Sequence, residues 1–312
     1  MTKIRAILMG TSEFAERIFT SLYQRLSFDI AAVVTAPDKP VGRKQKLLPS
    51  PVKKWALENN LPVLQPDKIK KPEWIEKIRK LNPDLIILCA YGQIIPKEIL
   101  DIPKYGALNI HPSLLPKYRG ASPIHAAILN GDEISGITIM LMDEKMDHGD
   151  IISNFKFQIS KPKISYKELE NQLIDVAADL LIKTLPDWVE GKIKPKPQDH
   201  SKASFCKIIK KQDGKIDWNK SAQEIENIIR AYHQWPVAYT FFNNKQLKIL
   251  EVDIIEGKNK KPGKVFAENK ELMVQTGNGI LILKQIQLEG KKPMSAQDFL
   301  RGHSEIIGSI LQ

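Results

Sequence analysis

The sequence predicts two parts of different class: an α/β part on an open, mostly parallel sheet with helices on both faces, and a C-terminal small β-barrel. Two observations carry this. Through residue 190, apolar runs alternate with amphipathic stretches at the spacing of β-α-β units, which implies parallel strands buried on both sides. After residue 206, five short β-rich segments are separated by Asn-Asn, Gly and Pro-Gly turns, the texture of a small barrel. The expected division is a first domain over 1–190, a linker over 191–206 and a second domain over 207–312. A chain of 312 residues has ample length for two cores.

Residues 3–9 read as the first strand, and Gly10-Thr-Ser12 as a tight turn into a helix over 13–26. Ser12 can cap it, with Glu13 and Glu16 at its positive end. The turn lacks the spacing GxGxxG, so no dinucleotide cofactor is inferred despite the Rossmann-like order of elements. After a strand over 29–35 the pattern breaks. Residues 36–51 read as a long loop with Lys39, Arg43, Lys44 and Lys46 against only Asp38. A loop of that length is functional or mobile, and its charge suits contact with phosphates.

Helix over 52–59, a short strand over 61–64, helix over 72–81 and a buried strand over 83–90 follow, the last ending in Tyr91-Gly-Gln93. Helix over 123–129, strands over 136–142 and 150–159, and a long helix over 165–190 complete the first part. Ser165 and Glu168 form a capping box at the start of that helix. Residues 191–204 are proline-rich, polar and without periodicity, hence the linker. A helix over 222–231 leads into the β segments, for which an OB-fold-like barrel is the natural form in a basic domain.

The net charge is +11 with pI near 9.4, which favours a polyanionic partner, nucleic acid first. That charge is spread: residues 207–312 hold 17 basic and 12 acidic side chains. Cys89 and Cys206 cannot make a disulfide framework, which points to a reducing cytoplasm. No apolar run approaches the roughly 20 residues of a membrane span, so no membrane association is expected.

The stretch 105–120 carries the chemistry. Alternation along a strand puts Leu108 and Ile110 on one face and Asn109 and His111 on the other. A buried strand of a parallel sheet normally reads as unbroken apolar sequence, so two polar groups on one face call for a reason. Pro112 ends the strand and a stiff loop follows, at the sheet edge where ligands bind. An amide and an imidazole side by side can donate to one developing oxyanion. The turn over 142–150 supplies Asp147 to orient the imidazole or carry a proton. His111, Asp147, His148 and Asp150 have no recognisable metal-ligand spacing, so no metal is expected.

With these residues quoted, a resemblance adds to the reading. Asn109-x-His-x-Ser-Leu-Leu-Pro116, followed by Asp147-x-Gly-Asp150, resembles the folate-dependent formyltransferases. Within that family, three features are similar to the members that act on methionyl-tRNA: Arg119-Gly-Ala-Ser-Pro-Ile124, the insertion Pro37–Lys53 with Arg43 at its centre, and the C-terminal pieces Ile216-Asp-Trp218, Trp235-Pro236 and Gly290–Asp298. The resemblance covers the whole chain. It implies formyl transfer from 10-formyltetrahydrofolate to the α-amino group of methionyl initiator tRNA, by a monomer. Asn109, His111 and Asp147 would take the catalytic positions. Ser113, Leu114, Leu115 and Pro116 would hold the folate with Tyr91, Gly92, Gln93 and Ile94, while Lys39, Arg43, Lys44 and Lys46 would meet the tRNA. The alternative is formylation of a small-molecule amine such as a nucleotide or amino-sugar. Lys145 stands where the resemblance leads one to expect glycine, which would alter the turn aiming Asp147, since glycine alone takes positive φ cheaply. His148, beside that carboxylate, is also unusual.

Overall fold

The computed structural model describes residues 3–41, 46–159, 161, 163–257 and 260–312. Strand β1 (Arg5–Gly10) is buried from Ala6 to Gly10 and turns directly into helix α1 (Glu13–Arg25). Ser12 caps that helix by accepting from the Ala15 amide at 3.4 Å. Gly10 is required here: a Cβ would stand 2.7–2.8 Å from Ala15 Cβ, the Cys89 carbonyl and Phe19. β2 (Asp29–Val34) leads into the expected loop, which instead folds back on itself. β3 (Lys39–Val41) and β4 (Lys46–Leu48) pair antiparallel. Ser50 then caps α2 (Pro51–Glu58), with proline at its first turn, where no amide hydrogen is needed.

β5 (Val63–Leu64), α3 (Pro72–Leu81), β6 (Leu85–Cys89), α4 (Lys97–Leu100), β7 (Ala107–His111), β8 (Arg119–Gly120) and α5 (Pro123–Leu129) follow. Next come β9 (Ile134–Leu141), β10 (Ile151–Gln158), α6 (Tyr166–Val189) and β11 (Phe205–Cys206). Among the described residues one seven-stranded sheet runs β10-β9-β7-β6-β1-β2-β5. The neighbours from β7 to β5 are parallel, while β9 and β10 are antiparallel. β6 and β7 are buried at every residue, so both faces are covered. This is the Rossmann-like, mostly parallel sheet expected, and strand order reverses between β1 and β6.

The rest of the chain is α7 (Ala222–Ala231), β12 (Tyr239–Phe242), β13 (Lys245–Ile255), β14 (Val265–Glu268), β15 (Glu271–Gln275), β16 (Ile280–Leu288), β17 (Met294–Ser295) and α8 (Ala296–Gly302). Its strands form one antiparallel path, β12-β13-β16-β15-β14, with β17 beside β16. Register shifts on both sides of Glu251 bend β13. The expected barrel is thus realised as an antiparallel half-barrel.

The chain divides into two compact units. One comprises Met1–Pro123, Ile134–Gln158 and Glu170–Lys207; the other comprises Ile124–Glu133, Ile159–Leu169 and Ile208–Gln312. The stretch expected as a linker therefore belongs to the first unit. β11 pairs parallel with β8, and Lys196 exchanges backbone hydrogen bonds with Ile151.

Candidate active site

β7 delivers Asn109 and His111 as alternation requires, toward the carboxyl end of the parallel strands and one strand removed from the reversal of strand order. Both are buried, 8% and 4% exposed. The imidazole is oriented by backbone: Nε2 donates to the Tyr118 carbonyl at 2.9 Å. A carbonyl only accepts, so Nε2 carries hydrogen and Nδ1 is the ring nitrogen that faces Asp147. Nδ1 lies 3.6 Å from Asp147 Oδ1, too long for a direct hydrogen bond. Asn109 Nδ2 donates to that same oxygen at 3.2 Å. The structure thus brings the three expected groups together, with Asp147 Oδ1 between Asn109 Nδ2 and His111 Nδ1.

Asp147 is held from its other side by the Gly120 amide, which donates to Oδ2 at 2.7 Å. Its φ of 49° puts it in the left-handed region, a strained choice for a residue with a side chain. Lys145 is not among the residues of positive φ; its amide donates to Asp143 Oδ1 at 3.0 Å. Lys145 thus stands at a position that asks for no glycine, the positive φ of this turn falling on Asp147. His148 turns away from Asp147. Its Nδ1 meets Asp143 Oδ2 at 2.6 Å, and its ring stacks on His200 at 4.0 Å and 9°.

The loop beyond β7 is tied at both ends. Ser113 Oγ donates to the Lys117 carbonyl at 2.6 Å, and Thr138 Oγ1 donates to the Ser113 carbonyl at 2.7 Å while accepting from the Leu115 amide at 3.1 Å. Ser113 and Leu115 are buried, whereas Leu114 and Pro116 are half-buried. Residues 204–206 strap the loop from outside. The Ser204 amide donates to the Pro116 carbonyl, Ser204 Oγ accepts from the Tyr118 amide, and the Arg119 amide donates to the Ser204 carbonyl. Gly120, at φ +115°, approaches so closely that a Cβ would sit 2.2 Å from the Cys206 carbonyl. Burial pushes the Cys206 thiol up.

Sequence reasoning missed several groups around Asp147: the Tyr118 carbonyl, the Gly120 amide, Arg119 as a buried side chain, Gln198 and His200. Backbone groups leave no compositional trace. Gln198 is 5% exposed and links Arg119 to the carbonyls of Asp147 and Gly149. A long polar side chain in an otherwise proline-rich stretch was the only available signal. His200 Nδ1 accepts from Arg119 at 2.8 Å. Desolvation, then the neighbouring His148 and Arg119, hold its pKa below the ordinary histidine value.

Tyr91, Gly92, Gln93 and Ile94 follow β6. Tyr91 is buried, its hydroxyl has no hydrogen-bond partner among the described residues, and burial raises its pKa. Gln93 turns its side chain to the protein, accepting from the Ile69 amide at 2.8 Å and donating to the Pro66 carbonyl at 3.0 Å. Gly92 has open space where a side chain would stand, and Ile94 is 82% exposed. In the basic insertion, Lys39 is exposed; Arg43, Lys44 and the Lys46 side chain lie outside the described residues. Asp38 is gripped by Lys53 Nζ at 2.7 and 2.9 Å and by Gln65 Nε2 at 2.8 Å. Those bonds, Lys53 foremost, lower its pKa.

Comparison with known proteins places this geometry in a class. The family model of formyl transferase matches residues 2–185, and that of the formyl transferase C-terminal domain matches residues 208–304. The chain belongs to the formyl transferase family of enzymes. Its full-length relatives there include the methionyl-tRNA formyltransferase of Clostridium novyi, 44% identical over 99% of this chain and 100% of its own. The enzyme of the same name from Bacillus subtilis is 43% identical, over 98% of this chain and 97% of its own. Among solved structures, an N-formyltransferase from Helicobacter canadensis in complex with folinic acid and dTDP-3-aminofucose has a TM-score of 0.65 at 21% identity. That match covers 90% of this chain and 99% of that one, and is a likeness of fold.

Proposed function

We propose that this protein moves the formyl group of 10-formyltetrahydrofolate onto the α-amino group of methionine carried by initiator tRNA. The observation that best supports this is the convergence of Asn109 Nδ2 and His111 Nδ1 on one oxygen of Asp147, at 3.2 and 3.6 Å. It occurs in a chain aligned end to end with methionyl-tRNA formyltransferases.

The folate supplies the formyl carbon on its N10 nitrogen. Tyr91, Gly92, Gln93 and Ile94 suit its pteridine: a turn of backbone amides and carbonyls beside the exposed Ile94 offers polar edges next to an apolar surface. Ser113, Leu114, Leu115 and Pro116 would hold it from the β7 side. The attacking amine needs little activation, since an α-amino pKa near 8 leaves a usable neutral fraction at pH 7. As its nitrogen bonds to the formyl carbon, Asn109 donates to the formyl oxygen. His111 donates from Nδ1 when both ring nitrogens carry hydrogen, and Asp147 supplies the counter-charge. The bond from that carbon to the folate nitrogen then breaks. Asp147, facing His111, is placed to take the proton lost by the amine and return one to the departing nitrogen. Lys39, Arg43, Lys44 and Lys46 would meet acceptor-stem phosphates, and the basic residues of 207–312 would add further tRNA contacts.

The experiment is formylation of charged initiator tRNA with 10-formyltetrahydrofolate, against elongator tRNA and a nucleotide-linked amino-sugar. Product on initiator tRNA alone is the expected result. Preference for the amino-sugar, which the fold likeness to the Helicobacter canadensis enzyme makes the second reading, would replace it.

A further inference from the structure

Gln198 lies in the irregular stretch between α6 and β11, yet both ends of its side chain are fully engaged. Nε2 donates to the carbonyls of Asp147 at 3.0 Å and Gly149 at 2.7 Å. Oε1 accepts from Arg119, from Nη2 at 2.7 Å and Nε at 3.2 Å. Arg119 is 4% exposed and is held by neutral acceptors, the other being His200 Nδ1. The peptide after Arg119 closes a ring, because the Gly120 amide donates to Asp147 Oδ2. Besides the bond from Asn109, Asp147 is thus gripped at its carboxylate by Gly120 and at its carbonyl by Gln198.

A simpler account makes Gln198 only an acceptor for a buried guanidinium. The amide nitrogen argues otherwise. Its two hydrogens hold two carbonyls of the very turn that carries Asp147 in its left-handed conformation. Such a conformation persists only where its surroundings over-determine it. A turn free to relax by about an ångström would carry the carboxylate away from Asn109 and His111, and displacement on that scale costs roughly a hundredfold in rate.

We propose that Gln198 is a positioning residue for formyl transfer: through Nε2 it fixes the turn at Asp147 so that the carboxylate faces Asn109 and His111. This rests on the function proposed above.

Gln198→Glu separates the two ends of the side chain. It keeps an acceptor for Arg119, now charged, but sets a carboxylate oxygen against two carbonyls. The expected result is a kcat lower by about 10- to 100-fold, with KM for both substrates within about threefold and a melting temperature lower by only a few degrees, the cost of two lost buried bonds. Hydrogen exchange at the Gly120 amide should quicken about tenfold with no substrate present. Gln198→Met, which loses both ends, should lose kcat to a similar degree. Wild-type kcat with unchanged Gly120 exchange in Q198E overturns the proposal. So does failure of both variants to fold, which would make Gln198 a structural strut. If wild type formylates no acceptor while Gly120 exchange responds as expected, the proposed function falls and the positioning role stands.

Discussion

Two regions converge on Asp147 and are built on opposite principles. β7 presents Asn109 and His111 from a strand paired on both sides, parallel to β6 and antiparallel to β9. Residues 191–206 present Gln198 and Ser204 from a segment with little regular structure, held by side-chain bonds, a few isolated backbone bonds and a two-residue strand. The strand fixes its side chains by a ladder that any residue sequence can make. The irregular segment depends on a few particular atoms, so single substitutions should act more broadly there.

The largest expected effect tests the strand side. Asn109→Ala and His111→Ala should each lower kcat by about 10²–10³, the usual cost of losing one oxyanion donor. Near-normal turnover in either variant would remove that residue from the mechanism. On the strap side, Gly120→Ala forces a Cβ to 2.2 Å from the Cys206 carbonyl. It should cost about 1–3 kcal/mol of stability, as overpacking does, and lower kcat as well. A G120A protein with wild-type melting temperature and rate would show that β11 is not pinned to β8 as described.

Ser204→Ala probes one strap bond alone, the one from the Tyr118 amide. About 1 kcal/mol of stability is expected to go with it, read as a shift in denaturation midpoint. Arg43→Ala should weaken tRNA binding and flatten its dependence on salt by about one phosphate contact or less, leaving folate binding intact. An unchanged salt slope would make the insertion a solvated loop.

The smallest effect is expected at a contact of regular structure. Glu168 accepts from the Ser165 amide and hydroxyl, and these bonds bring its pKa to about 2. Its folded pKa lies below the unfolded value, so its contribution is complete above about pH 4.5 and fades as pH falls toward 2. A Glu168→Gln variant should be slightly less stable than wild type at pH 7 and indistinguishable from it near pH 2. A difference that grew on acidification would contradict the capping role.

Legibility in the sequence followed the same contrast. α3, α5 and α7 begin and end where periodicity and turn residues put them, because their signals are local. Asn109 and His111 stood out as polar residues on a buried face, and Asp147 lay in a turn rich in acids. The pairing of β3 with β4 was hidden by Pro40 and by their short, polar sequences; the contacts of Lys39, Pro40 and Val41 with Leu48, Leu47 and Lys46 are what make those residues strands. β8 and β11 are each two residues long and exist only through each other. Gln198 and the Tyr118 and Gly120 backbone groups were illegible for the same reason. Their roles come from atoms distant in the chain, with nothing periodic to mark them.

Asp38 carries a further consequence. Bound by Lys53 and Gln65 at the root of the basic hairpin, it forms with Lys53 a neutral pair. The field of such a pair falls off as that of a dipole, faster than that of single charges. At a Debye length, about 8 Å in physiological salt, an approaching polyanion would sense Lys39, Arg43, Lys44 and Lys46 with almost no opposing sign. The one acid within residues 36–51 is, at a distance, electrically silent.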